Sequence, residues 1–219
     1  MAMASLRRAR RVWGAALWSA AALAFALLAT FAAFFDRFPG DEPLAGALQD
    51  AGVPVLGGFL DAVNVLGDGA FYFPFVLLAV LAFAVRRAWL EAALVLFVFV
   101  PRALNSALKD WIERPRPSAD LIHVSDSAAS FSFPSGHVVA TATLFGLLFF
   151  LLPRLVLWRP ACRLLQACCL LAVVAAGPAR VYAGAHWPSD VLGGYLLALL
   201  FLVPAIAVYR ALRPQSGRS

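Results

Sequence analysis

Three short stretches hold most of the polar chemistry of this chain. The first runs Lys109-Asp-Trp-Ile-Glu-Arg-Pro-Arg116-Pro117, the second is Pro134-Ser135-Gly136-His137, and the third runs Arg180-Val-Tyr-Ala-Gly-Ala-His186-Trp-Pro-Ser-Asp190. Pro115 and Pro117 interrupt a helix, which leaves Arg116 on a stiff turn that aims its guanidinium at one point. A guanidinium matches phosphate oxygens through paired N–H donors, and Lys109 adds a mobile point charge. Lys109, Arg116 and Arg180 together call for an anion. Any one of them alone has an ordinary alternative, as an anchor of a helix end among lipid headgroups.

Pro134-Ser135-Gly136-His137 stands immediately before an apolar run. Proline and serine suit a helix start, and Gly136 lets a ligand approach the backbone closely. The free N–H groups there, with the helix dipole, form an anion site; for the tetrapeptide alone, an ordinary capped helix is the alternative. His186 and Asp190 are four residues apart, with Pro188 expected in the first turn of the last helix. The carboxylate can then hold one ring nitrogen and leave the other free to attack phosphorus. A capping Asp beside an interfacial His explains Asp190 but not His186. The residues alone do not decide which histidine is the nucleophile. No carboxylate cluster with divalent-cation spacing stands near the three stretches, so no metal or other cofactor is expected.

These residues are carried by an unusually apolar chain. It is 63% hydrophobic and 14% charged, well outside the range of a soluble domain, and its apolar residues fall in long runs. Six runs can be drawn: Val12–Phe35, Ala70–Val85, Trp89–Leu108, Val138–Leu152, Leu164–Pro178 and Val191–Tyr209. A membrane-spanning helix needs about 20 residues. The second, fourth and fifth runs fall short of that, and the polar residues beside them are expected to continue their helices. The first run is too long for a signal-peptide core and reads as an uncleaved span. The fold class expected is all-α, a six-transmembrane-helix bundle forming one integral membrane domain over residues 1–219.

The net charge is +6, but its placement says more. Arg7, Arg8, Arg10 and Arg11, then Arg86 and Arg87, then Arg154, Arg159 and Arg163, then Arg210, Arg213 and Arg218 fall at every second connection. The positive-inside rule puts both termini in the cytoplasm and leaves Asp36–Gly69, Lys109–His137 and Ala179–Asp190 outside. The site would then lie on the extracytoplasmic side of the cell membrane. Nucleic acid is excluded as a partner, because no continuous basic face can form. The partners expected are the bilayer and a lipid substrate.

Several residues are set apart from the site. The Asp36–Gly69 connection reads either as a helix lying in the interface or as a loop packed on the bundle. Asp120, His123 and Asp126 are expected in a solvated loop. Arg102 lies inside the third run and shares a helix face with Asn105 and Lys109. It should face the bundle interior, in a structural role. Cys162, Cys168 and Cys169 have neither disulfide nor metal spacing and read as small packing residues. The six tryptophans lie mostly near span ends, as in an interfacial belt.

Taken in order, Lys-x6-Arg-Pro, Pro-Ser-Gly-His and Arg-x5-His-x3-Asp resemble the three-part signature of the type 2 phosphatidic acid phosphatase superfamily. That superfamily comprises membrane lipid phosphatases and, more distantly, vanadium-dependent haloperoxidases. The family has serine before the third-motif arginine, where this chain has Ala179. The resemblance implies a six-helix membrane bundle acting without a metal. By it, His186 attacks phosphorus, Asp190 orients His186, and His137 protonates the leaving oxygen. Lys109, Arg116, Ser135, Gly136 and Arg180 hold the phosphate oxygens. The function expected is hydrolysis of a lipid phosphomonoester or diphosphate through a phosphohistidine. Undecaprenyl diphosphate is favoured, ahead of phosphatidylglycerol phosphate and phosphatidic acid. An anion or lipid transporter would need the cations but no nucleophile, and an inactive family member has only Ala179 in its favour.

Overall fold

A computed structural model describes residues 2–51, 54–126 and 128–213. Nine helices and no strands are found among the described residues. α1 (Ala2–Phe34) carries the first apolar run, and α2 (Asp41–Asp50) and α3 (Pro54–Gly67) follow. The described residues of the Asp36–Gly69 connection are therefore mostly helical, and both helices fold against the bundle. Leu60 and Val63 of α3 are buried with Ala175 and Ala179, and Ala45 of α2 is buried with Val138, Trp187 and Val191.

α4 (Gly69–Val85) begins at Asp68, whose carboxylate accepts from the Ala70 N–H at 3.1 Å. With 17 residues α4 is short for a span, and no polar flank lengthens it. Instead it follows α3 at a 61° bend, and it is long and apolar enough for a span only when the two helices are taken together. α5 (Trp89–Leu96) and α6 (Phe99–Ile112) form the third crossing. Pro101 explains the break between them. It has no N–H to offer the Phe97 carbonyl four residues back, and the Val100 N–H takes that carbonyl at 3.0 Å.

α7 (Gly136–Leu155), α8 (Arg159–Tyr182) and α9 (Pro188–Leu212) complete the bundle. The fourth and fifth runs are lengthened by their polar flanks as expected. α7 is the central helix, buried without interruption from Val138 to Phe145, which is why its apolar run shows no stripe. Elsewhere the apolar surface faces outward, as on Leu77, Leu78 and Leu81 of α4, where lipid takes the place of a core. With α5 and α6 taken as one span, five segments are long and apolar enough to cross a membrane, and there are six when the bent α3–α4 pair is counted as one span.

The two ends of the bundle differ. At one end, buried Glu91 accepts from the Tyr209 hydroxyl at 2.7 Å, pairs with Arg213 and has Arg154 at 4.0 Å. At the other end, the last turns of α6 and α8 meet the first turns of α7 and α9. Cys162 and Cys169 are buried as expected, and Cys168 faces outward. Trp187 departs from the belt reading, since it is buried at the start of α9.

Candidate active site

The last turn of α6 positions the first cation. α6 ends at Glu113, a left-handed cap with φ 55° whose N–H returns to the Lys109 carbonyl at 2.9 Å. Lys109 Nζ donates to the carbonyls of Ser132, at 3.1 Å, and Phe131. Beyond the cap, Arg116 donates to the carbonyls of Ser130 and Ala185, each at 2.6 Å, and to Ser130 Oγ at 3.1 Å. One short stretch, residues 130–132, therefore fixes both cations.

The second stretch is pinned between two helices. Asn105 Nδ2 of α6 donates to the Pro134 carbonyl at 3.1 Å, and the Ser135 N–H donates to the Asp190 carbonyl at 3.0 Å. Gly194 of α9 permits that approach, because a Cβ there would lie 2.9 Å from the Ser135 carbonyl. Ser135 precedes α7, yet its hydroxyl caps nothing, and buried Ser135 Oγ has no hydrogen-bond partner among the described residues.

The third stretch supplies the reactive pair. His186 Nδ1 lies 3.6 Å from Asp190 Oδ2 and 3.4 Å from Ser132 Oγ. The other ring nitrogen, Nε2, lies 3.3 Å from Arg116 Nη1. Asp190 Oδ2 also accepts from the Trp187 N–H at 2.8 Å and from Ser132 Oγ. Burial pushes His186 down to about 3, against the pull of Asp190 and with the help of the Lys109 and Arg116 charges. This favours the neutral imidazole, with Nδ1 on the side of Asp190 and Nε2 beside a cation.

A cavity of about 460 Å³ opens in front of this arrangement. Lys109, Arg116, Gly136, His137 and His186 line it, together with Arg102, Asn105 and the α3–α4 elbow at Gly67–Gly69. Asp190, Ser135 and Arg180 do not line it. Arg180 pairs with Asp126 at 2.8 Å, while its buried Nε finds no acceptor among the described residues. Asp126 is thereby corrected from a solvated loop residue to a wall of the cavity. Burial works to raise its carboxyl, but Arg180 outweighs burial and holds it below its usual range. Asp120 and His123 are exposed, as expected. Arg102 lies with its guanidinium 5.0 Å above the Tyr72 ring, and it faces the cavity as well as the bundle. Ala179 is fully buried against α3, so an apolar contact stands where the family has a hydroxyl.

Sequence reasoning misses the layer behind the pair. Arg114, fully buried, donates to Asp190 Oδ1 at 2.5 Å, to Ser189 Oγ at 2.8 Å and to Asp41 Oδ2 at 2.8 Å. Asp41, on α2, also accepts from the Ser189 N–H at 2.9 Å and from its hydroxyl at 2.7 Å. The one sequence signal is the repeat Arg-Pro-Arg-Pro, in which Arg114 stands as Arg116 does. Nothing local marks Asp41, Ser132 or Ser189.

A bundle that crosses a membrane and opens a cationic cavity onto a His–Asp pair is suited to taking phosphate from a lipid. A family model described as PAP2 superfamily matches residues 90–214. The chain is 37% identical over 169 residues to phosphatidylglycerophosphatase B of Bacillus subtilis (strain 168), covering 74% of this chain and 81% of that protein. It is 32% identical over 135 residues to lipid A 1-phosphatase of Rhizobium etli, covering 58% and 53%. The crystal structure of a transmembrane PAP2-type phosphatidylglycerolphosphate phosphatase from Bacillus subtilis matches with a TM-score of 0.74 at 26% identity, over 90% of this chain and 98% of that one. Aquifex aeolicus LpxE matches in fold, with a TM-score of 0.61 at 22% identity, over 79% and 98%. The chain belongs to the PAP2 superfamily and is a membrane lipid phosphatase.

Proposed function

We propose that this protein hydrolyses a lipid phosphate through a phosphohistidine on His186, without a metal, on the outer face of the cell membrane. The observation that carries the reading is the division of labour between the two nitrogens of His186. Nδ1 is held on the side of Asp190 and Ser132, and Nε2 is turned towards Arg116 and the cavity. In the first step Nε2 forms a bond to phosphorus as the bond to the lipid oxygen breaks, and His137 gives that oxygen a proton. Lys109, Arg116 and Arg180 balance the charge of the five-coordinate phosphorus, with Ser135 and the N–H of Gly136 as further donors. In the second step His137 takes a proton from water, which displaces His186 and releases phosphate.

Phosphatidylglycerol phosphate is proposed as substrate ahead of undecaprenyl diphosphate, because the 37% identical relative is a phosphatidylglycerophosphatase. The outer-face assignment rests on the basic connections and the positive-inside rule. The test is phosphate release by purified protein from a panel of lipid phosphates in excess EDTA. Release from phosphatidylglycerol phosphate, inhibited by vanadate as a mimic of five-coordinate phosphorus, is expected. Complete loss in EDTA, restored by Mg²⁺, would overturn the mechanism.

A further inference from the structure

We propose that Arg102 forms a second anion subsite in the catalytic cavity, one that holds the phosphodiester of a lipid whose two phosphates are joined through glycerol. The inference rests on the functional reading above and extends it to the choice of lipid. Arg102 lines the same cavity as Lys109, His137 and His186. It precedes Lys109 by two turns of the third crossing, about 10 Å deeper towards the bilayer centre. A cation at that depth is costly without a partner.

The partners that Arg102 has do not use its hydrogen-bond donors. Its guanidinium lies 5.0 Å from the centre of the Tyr72 ring and 5.2 Å from that of Phe73. Ring faces fix the position of the charge and leave the N–H edge free. Among the described residues its side chain makes no hydrogen bond or ion pair. Of the carboxylates that line the cavity, Asp126 pairs with Arg180 at 2.8 Å, Asp68 accepts from the Ala70 N–H at 3.1 Å, and Asp110 is exposed beside Lys109, two turns from Arg102. The cavity thus offers a fixed cation with open donors, set apart from the cluster around His186.

Spacing selects the ligand. The two phosphates of a diphosphate share an oxygen, so both stay beside His186 at the Lys109–Arg116 end of the cavity and neither reaches two turns further down. Phosphatidic acid has no second phosphate. A lipid with a terminal phosphomonoester and a phosphodiester beyond a glycerol bridge puts its second charge deeper, with the acyl chains deeper still. That is the order Lys109, Arg102, bilayer along α6.

The experiment compares kcat/KM for phosphatidylglycerol phosphate and for phosphatidic acid of the same acyl chains, in the unaltered protein, Arg102→Met and Arg102→Lys. The unaltered protein should prefer the diphosphorylated lipid. In Arg102→Met the ratio of the two constants should fall by about tenfold to a hundredfold, the size of a lost charge-assisted contact. Arg102→Lys, which keeps the charge, should retain part of the ratio. Should Arg102→Met not elute as a single species on size exclusion, Arg102→Lys carries the comparison, with KM raised for the diphosphorylated lipid more than for phosphatidic acid. Equal losses on both lipids, or an unchanged ratio, would overturn the subsite and leave the phosphatase reading standing. Release from neither lipid by the unaltered protein would overturn the choice of phosphatidylglycerol phosphate as substrate and the subsite with it.

Discussion

At the scale of the residue, the two histidines of the cavity are separable by leaving group. His186→Ala removes the atom that bonds phosphorus and should lower turnover at least about a thousandfold on every lipid phosphate. His137→Ala removes only the proton donor. Its cost should be about a hundredfold or more with an alkoxide leaving group, as in phosphatidic acid, and smaller with a diphosphate, whose leaving group needs no proton. Rapid-quench labelling with ³²P-lipid should find an acid-labile, base-stable phosphoenzyme in the unaltered protein and none in His186→Ala. Label persisting in His186→Ala would assign the nucleophile elsewhere.

The protonation of His186 gives a second test at this scale. Burial first, and then the Lys109 and Arg116 charges, push the ring down to about 3 from its ordinary 6.5. The folded protein therefore binds this proton less readily than the unfolded chain. The resulting stability is fully present above about 6.5 and is lost as pH falls from there towards 3. In the ligand-free protein, the ¹⁵N signals of the His186 ring, assigned by their absence in His186→Gln, should stay those of a neutral imidazole from about pH 8 down to about pH 5. A midpoint near the ordinary value would show that water reaches the ring, and would undo the account of a nucleophile kept ready by burial.

At the scale of the element, the short helices of the first connection belong to the site. α2 brings Asp41 to Arg114, and Arg114 holds the oxygen of Asp190 that His186 leaves free. Both ion pairs are buried, so removing their shared cation leaves two carboxylates unpaired. Arg114→Leu should cost about 3–5 kcal/mol of stability in detergent-based unfolding, and Arg114→Lys, which lacks the fork that spans both carboxylates, should recover only part of it. An unchanged unfolding midpoint in Arg114→Leu would refute this network as a structural element. α3 contributes differently. A Cβ on Gly67 would lie 2.5 Å from Cδ2 of His137, so Gly67→Ala must displace that ring. It should copy His137→Ala in miniature, slowing phosphatidic acid more than a diphosphate, whereas equal slowing would point to general damage at the elbow.

The reach of the sequence follows from the same elements. His186 and Asp190 are legible because they are only four residues apart across the start of α9, and Lys109 with Arg102 because two helical turns join them. Arg114 and Asp41 are 73 residues apart and meet only through the folding of α2 onto α9, which no local pattern encodes. Asp126 reads as a polar loop residue until Arg180, buried at the end of α8, is seen to need a carboxylate. The six apolar runs announce six crossings, but the bend at Asp68 depends on α3 finding α8, and so the second crossing looks merely short.

At the scale of the whole molecule, an ion cluster around Glu91 and the catalytic cavity lie at opposite ends of the bundle. Glu91, Arg154 and Arg213 meet at one end, joining the starts and finishes of α5, α7 and α9. Arg86 is exposed in the adjoining α4–α5 turn. The cavity and the loop carrying Asp120 lie at the other. Because excess arginine is retained in the cytoplasm, this segregation predicts sidedness for the site as well as for the termini. Asp120→Cys, at an exposed position outside the ion pairs of the cavity, should react with a membrane-impermeant maleimide in intact cells. Arg86→Cys should react only after the cells are permeabilised, and the unaltered protein, whose outward-facing Cys168 lies within a membrane-spanning helix, supplies the background. The reverse pattern would turn the whole bundle over. The cavity would then face the cytoplasm, and a lipid phosphate presented on the outer leaflet would have to cross the bilayer before His186 could reach it.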